Sequence, residues 1–470
     1  MINLLKNEFT KVFKKKGFLI MIIVMFAFVF LTNFLYKTID NVMGSVDDIR
    51  HSNFEEQEEW YKDRPELKEE YVEEKTVYEV YELKNKYDKK SWQYNYIGTS
   101  YDLNQIMKII VSYELKFTKD EDDYNLAKQE YNEFIKKLEN DDWKEIARDE
   151  KKKYEEELEV AEGYETKEEL KIRIEGIDLR LEKDISYADS YMNTALNNYV
   201  DNKVFFIQYE NVEISKLSNE EKANYYESRK EYLASKYILD NNIDLSNGGS
   251  DILTNFYSEY LFIIVVLIFM IVGGIVSQEF SKGTIKLLLV KPYTRTKILL
   301  SKYITSIVTI IVACFITFVF QLIIGTLFFG IESITTPIIS YSNISDKITI
   351  MNVFAYSFKL FIGILPKFLL LTTLAFAAST IFNNTALAIV ISFAGFIGSD
   401  IVAGLLSSFN KWWVKFVYCF NWDFTPYIFN NKPDIKGVSL GFSIVVCLVY
   451  LLVLLIPTFI VFKNRDIKNV

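Results

Sequence analysis

Six apolar runs, each long enough to cross hydrocarbon, decide most of what this chain can become. They are Gly17–Tyr36, Tyr257–Ser277, Tyr303–Phe329, Leu360–Ile381, Thr385–Phe409 and Val438–Phe462. A run of roughly 18–20 apolar residues spans a bilayer as a helix, because inside lipid every backbone amide must bond within its own segment. The expected fold is an all-α membrane protein with six transmembrane helices. The first run follows Lys14, Lys15 and Lys16, as a signal peptide would. Its apolar core is longer than such a peptide carries, and no small-residue cleavage pattern follows it, so the expectation is a retained anchor.

Charge divides the chain. Residues 37–256 hold 32 Lys+Arg against 53 Asp+Glu, whereas the whole chain stands at −9, so an acidic block sits inside a basic, apolar frame. That acidity argues against binding a nucleic-acid backbone. The frame's basic residues fall in three short flanks: Lys6, Lys11 and Lys14–Lys16; Lys282, Lys286, Lys291, Arg295, Lys297 and Lys302; and Lys463, Arg465 and Lys468. Basic flanks mark the cytoplasmic side. Six crossings put all three there, with both termini cytoplasmic, residues 37–256 extracellular and the chain in the plasma membrane. The link 410–436, outside by this count, carries Lys411, Lys415, Lys432 and Lys436 and runs against the rule. The side it occupies stays open.

The outer block has a single proline, Pro65, and reads as mainly helical and coiled-coil-like. Leu170, Ile174, Ile177 and Leu181 form an apolar seam at coiled-coil spacing. Tyr131, Phe134, Ile135 and Leu138, then Trp143, Ile146, Tyr154 and Leu158, make a preceding stripe, and Gly163 offers a turn between the two. Lys203–Ile214 is β-prone and reads as a short strand or a buried segment. Asp240–Gly249 reads as a tether into the second run. Cys314, Cys419 and Cys447 lie in or beside apolar runs, which fits neither a disulfide framework nor zinc, and the single histidine, His51, reads as a surface residue.

The stretch Gln278–Tyr303, between the second and third runs, has a distinctive pattern. Lysines punctuate Ile285 and Leu287–Val290, Pro292 breaks any helix, and Gly283 permits a turn. Such a segment lies on the membrane surface near anionic lipid or an acidic partner. The order Glu279, Gly283-Thr284, Pro292, Arg295, Lys302 resembles the signature loop of ABC exporter permeases of the type-2 class. Residues 1–16, with Leu5, Phe9, Val12 and Phe13 along one side, are similar to that family's amphipathic elbow helix. The resemblance covers roughly residues 1–36 and 257–470, and the large outer block departs from the simplest members.

The resemblance implies that residues 278–302 form a coupling loop seated on a separate nucleotide-binding subunit. Glu279, Gly283, Thr284, Pro292 and Arg295 would then be the ATPase-coupling residues, with Glu279 accepting a bond from a basic group on the ATPase or on the elbow. It further implies two ATPase copies carrying ATP-Mg, a second permease of the same or another kind, and export of an amphipathic molecule. This chain itself has no G-x-x-x-x-G-K-[ST] loop, so no bound cofactor and no enzymatic activity are expected of it. A second layout shares these spans: a non-transporting surface receptor or secretion scaffold with a helical interaction domain.

Two ionisable residues fall within apolar runs, Lys367 and Asp400. Counting from the tight turn at Asn383-Asn384 puts Lys367 at roughly 21 Å and Asp400 at roughly 24 Å along antiparallel helices. The candidates are an intramembrane charge pair, or a snorkelling lysine with an aspartate facing a vestibule. Asn410–Asn431 is dense in aromatic rings, which anchor at the lipid–water boundary. Related exporters have short extracellular or re-entrant helices there, and the resemblance implies the same here.

Overall fold

The computed structural model describes residues 1–52, 60–61, 64–210, 212–243, 256–286, 292–407, 409, 411–433, 435 and 437–465. Most of the expected tether, Leu287–Val290 with Lys291, the tail after Arg465 and the side chain of His51 lie outside the described residues. The chain divides into two compact units, Met1–Lys37 with Asn247–Val470, and Thr38–Ser246.

The first unit begins with the elbow helix Ile2–Phe13. Six helices long and apolar enough to cross a membrane follow: Lys16–Ile39, Tyr260–Ser281, Arg295–Phe329, Val353–Phe382, Thr385–Leu406 and Leu440–Asn464, here spans 1 to 6. Their inward faces share a core that includes Met25, Tyr260, Phe269, Phe368 and Phe376. Their outward faces expose Val390, Ile397, Ile401 and Leu405 on span 5, and Val445, Leu448, Leu452, Ile456 and Ile460 on span 6. Apolar surface on this scale is what lipid, not water, covers. This is a multi-pass, all-α membrane protein.

The starts of spans 3 and 4 differ most from the sequence expectation. Span 3 starts at Arg295 rather than Tyr303, with the Thr294 hydroxyl capping its first turn, and runs 35 residues. At a rise of ~1.5 Å that is about 52 Å, well beyond a hydrocarbon core of ~30 Å. Span 4 starts at Val353, capped by the Asn352 side chain, rather than at Leu360. Between them lies an unforeseen antiparallel hairpin, β1 (Ile338–Ser342) and β2 (Lys347–Met351), in the register Ile338↔Met351 to Ser342↔Lys347.

The second unit is helical. Side-chain caps start several of its helices: Ser91 for Trp92–Thr99, Ser100 for Tyr101–Glu114, Asp120 for Glu121–Glu139 and Asp142 for Trp143–Val160. Each cap accepts from an otherwise orphaned amide of the first turn. Ser218 and Glu221 form a capping box at Asn219–Asn241. Gly163 lies between Trp143–Val160 and Tyr164–Glu182, at the expected turn. Of the expected seam, Ile177 and Leu181 face a core with Trp92, Ile97, Leu103 and Met107. Lys203–Ile214 contains no strand among the described residues: it finishes the helix Tyr191–Phe205, continues as a 3-10 turn over Phe206–Tyr209, and a second begins at Ile214. Phe206 packs edge-on against Tyr225 and Tyr232, so helix packing rather than strand pairing takes up its rings.

Candidate functional site

Span 2 stays regular to Val272 and breaks at Gly273-Gly274, and the chain resumes as the short helix Ser277–Ser281. The break is held by hydroxyls. Ser379 accepts from the amides of Val276 and Ser277, and Ser277 donates to the Gly273 carbonyl. This satisfies backbone groups that a helix break would otherwise leave unpaired. It also sets Glu279 against the elbow. The elbow's buried stripe is Leu4, Glu8 and Val12: of the expected Leu5, Phe9, Val12 and Phe13 only Val12 is buried, the other three being half-buried one step round, and the true stripe places a carboxylate at its centre.

There the charges close into a ring. Lys302 Nζ lies 2.7 Å from Glu8 Oε2 and 2.8 Å from Glu279 Oε1; Lys11 Nζ lies 2.9 Å from Glu8 Oε1 and 2.9 Å from Glu279 Oε1. Acid and base alternate, and the four formal charges cancel. The ring joins the elbow, the end of span 2 and the first turns of span 3. Glu8 and Lys302 are each about 1% exposed. Two ions so buried persist only when paired and hydrogen-bonded. Burial alone would raise the Glu8 pKa, but the Lys302 and Lys11 ammonium groups hold it below its ordinary value. Burial works to lower the Lys11 pKa, and the two glutamates overcome it and raise it. Lys15 donates to Gln278 Oε1 at 3.1 Å, and burial with the nearby Lys282 pushes its pKa down. Glu279 Oε2 is buried with no hydrogen-bond partner among the described residues.

The other expected loop residues are not members of the ring and are not brought together. Gly283 adopts φ +67°, a left-handed conformation costly for any residue with a Cβ, and Thr284 Oγ1 donates weakly to the Glu279 carbonyl at 3.4 Å. Pro292 is exposed at a bend. Arg295 does not approach Glu279's ring; its Nη1 donates to the carbonyls of Lys463 and Arg465, at 2.9 and 2.7 Å, at the end of span 6. Arg465 in turn donates to the carbonyls of Thr380 and Ile381, at 2.7 and 2.6 Å, and to Asn383, at the end of span 4. Arginine at helix C-termini satisfies orphan carbonyls and complements the helix dipole. Two guanidinium groups thus tie the start of span 3 to the ends of spans 6 and 4.

Lys367 and Asp400 do not form the expected ion pair. Asp400 is exposed and accepts from Ser399 at 3.3 Å. The Lys367 ammonium lies 5.0 Å from the Trp422 ring centroid and 5.9 Å from that of Phe396, a cation–π setting. The aromatic loop explains this, because it inserts between spans rather than resting wholly at the boundary. Phe424 N donates to the Gly363 carbonyl at 2.8 Å, Tyr418 OH to the Gly395 carbonyl at 3.1 Å, and Ser443 Oγ to Asn421 Oδ1 at 3.0 Å. The accepting carbonyl, that of Gly363, lies in the turn of span 4 just before Pro366. Trp412 stays exposed, as an interfacial anchor does.

Sequence reasoning passed over Glu8, although a lone acid among five elbow lysines was a visible signal. It also missed a buried amide cluster. Asn33 on span 1 donates to Gln321 on span 3 at 2.8 Å, and Tyr260 on span 2 donates to the same Gln321 oxygen at 2.7 Å. Isolated amides inside apolar runs were the available sign.

No solved structure matches this chain. The chain is similar to "Uncharacterized protein YhcI" of Bacillus subtilis (strain 168), at 29% identity over 266 residues, covering 56% of this chain and 84% of that protein. It is also similar to "Uncharacterized membrane protein YdbK" of the same organism, at 28% identity over 202 residues, covering 43% of this chain and 77% of that protein. A family model matches residues 217–468, which include spans 2 to 6, and the chain belongs to that family, described as "Protein of unknown function (DUF2705)".

Proposed function

We propose that this chain is the membrane permease subunit of an exporter, driven by a separate ATP-hydrolysing subunit that grips the loop between spans 2 and 3. The observation that carries this reading is the closed ring of Glu8, Lys11, Glu279 and Lys302. Exposed Lys282, Lys286, Pro292 and Lys297 lie in the same stretch of chain. A push on that stretch moves the elbow, the end of span 2 and the start of span 3 together, because separating them would strand buried ions. Through Arg295 and Arg465 the same push reaches spans 6 and 4. Two ATPase copies with their ATP-Mg and a second permease complete the machine. Its cargo is an amphipathic molecule leaving the cell, and residues 37–256 stand on the exit side.

The orientation is tested by Ser281→Cys, since Ser281 is exposed beside the ring. A membrane-impermeant maleimide is applied to intact and to permeabilised cells, with the parent as background. Coupling to a cytoplasmic ATPase requires labelling only after permeabilisation. Labelling in intact cells puts the loop on the wrong side and ends the proposal.

A further inference from the structure

Away from the charge ring, spans 3 and 4 border a groove of about 300 Å³ lined by Ile311, Phe315, Phe318, Phe354, Phe358 and Phe361, with Ser357 among them. Phe315 and Phe358 are each 65% exposed, so the groove opens onto the lipid-facing surface. Its volume reaches the lower end of small-molecule sites, roughly 300–1,000 Å³. Any acyl chain would wet such a surface. The serine makes it selective.

Ser357 is 3% exposed, and its hydroxyl has no hydrogen-bond partner among the described residues. Hydroxyls on membrane helices ordinarily donate to the carbonyl four residues back, as those of Ser306, Thr317, Thr373, Thr380 and Ser392 do here. An unpaired buried hydroxyl is costly, and a ligand acceptor removes that cost. Span 4, with 30 residues, is about 45 Å long, so about 7 Å at each end extends past a ~30 Å hydrocarbon core. Ser357 lies four residues after Val353, about 6 Å along the axis, at the border between chains and headgroups.

We propose that this groove holds one acyl chain of a diacyl lipid, with Ser357 Oγ donating to the lipid's ester carbonyl. The aromatic rings take the upper methylenes and the hydroxyl reads the ester. This site is independent of the transport reading and of which side of the membrane it faces.

The test uses the full chain in nanodiscs made from equal amounts of a diacyl phosphatidylglycerol and its dialkyl-ether analogue. Tightly bound lipid is counted by native mass spectrometry. The wild type is expected to retain the ester form about fivefold over the ether, the value of one neutral hydrogen bond. Ser357→Ala should bring that ratio close to one, and Ile311→Trp, which fills the groove, should lower retention of both lipids. Equal retention by the wild type, or an unchanged ratio in Ser357→Ala, overturns the proposal. So does unchanged lipid retention in Ile311→Trp, including the case in which that variant instead splits a dimer and so reveals a subunit seam.

Discussion

Replacing Lys302 with methionine probes the charge ring most sharply. Its ammonium lies 2.7 Å from one carboxylate and 2.8 Å from another. At an effective dielectric of about 20, each contact represents about 6 kcal/mol of gross attraction. Most of that is offset by the cost of taking three ions out of water. The substitution therefore reads the charge left behind, about 3–5 kcal/mol when one partner of a buried pair is removed. Lys302→Met leaves Glu8 buried with only Lys11 to neutralise it. Lys11 has a side chain 39% exposed, and Lys11→Met leaves Lys302 bridging both acids, so about 1 kcal/mol or less is expected. The double variant Glu8→Leu with Lys302→Met retains one ordinary pair, Lys11–Glu279, and should recover most of the loss. Denaturant unfolding in mixed micelles, run as a double-mutant cycle, measures all three. Equal losses in Lys302→Met and Lys11→Met, or a double variant as unstable as Lys302→Met, would refute the closed ring.

Three further outcomes follow from the same geometry. The depressed Glu8 pKa adds stability that is present above the ordinary carboxylate value and lost as pH falls through the folded one. The raised Lys11 pKa adds stability that is present below the ordinary lysine value and lost as pH rises through the folded one. The difference in unfolding midpoint between wild type and Glu8→Gln should thus be flat from about pH 5 to 10 and shrink on both shoulders; a difference that does not change with pH would contradict this. Gly363→Ala would place a Cβ 2.8 Å from Thr425 Cα and 2.9 Å from Thr425 N, so the re-entrant loop must retreat at a cost of about 1–3 kcal/mol. Faster thiol labelling of half-buried Cys419 reports that retreat, and an unchanged rate contradicts it. Asn33→Leu removes one member of the buried amide cluster and should cost about 1 kcal/mol, the usual scale for polar contacts between membrane helices. A loss above about 4 kcal/mol would mean that the cluster does more than pack spans.

Hydropathy made the six spans legible, because a run such as Val438–Phe462 has no soluble alternative. Their ends were less legible for a physical reason. Lys297 and Lys302 look like loop residues to any local measure, yet Lys302 sits inside a helix because Glu8, 294 positions away, neutralises it. The Glu279 partnership was half visible: an elbow lysine was among its expected partners, whereas the ring's other half needed the elbow's true rotation. Lys367 and Asp400 have matching depth in sequence, but depth does not give rotation, and Trp422 from the re-entrant loop occupies the space beside the lysine. The β1–β2 hairpin has alternating residues, but its five-residue strands are too short to stand out beside two spans. Its hold comes from distant Asn430 and Asn431, which bond to Ser342 and Asn343.

The most direct test of transport coupling is biochemical. The chain is purified from membranes that also express a P-loop ATPase from a neighbouring reading frame, and ATP hydrolysis by the eluted complex is compared among wild type, Glu279→Gln and Arg295→Ala. Coupling through this loop predicts co-elution of the ATPase and a hydrolysis rate that falls in both variants. An ATPase that never accompanies the chain, or a rate unchanged in both variants, would contradict it.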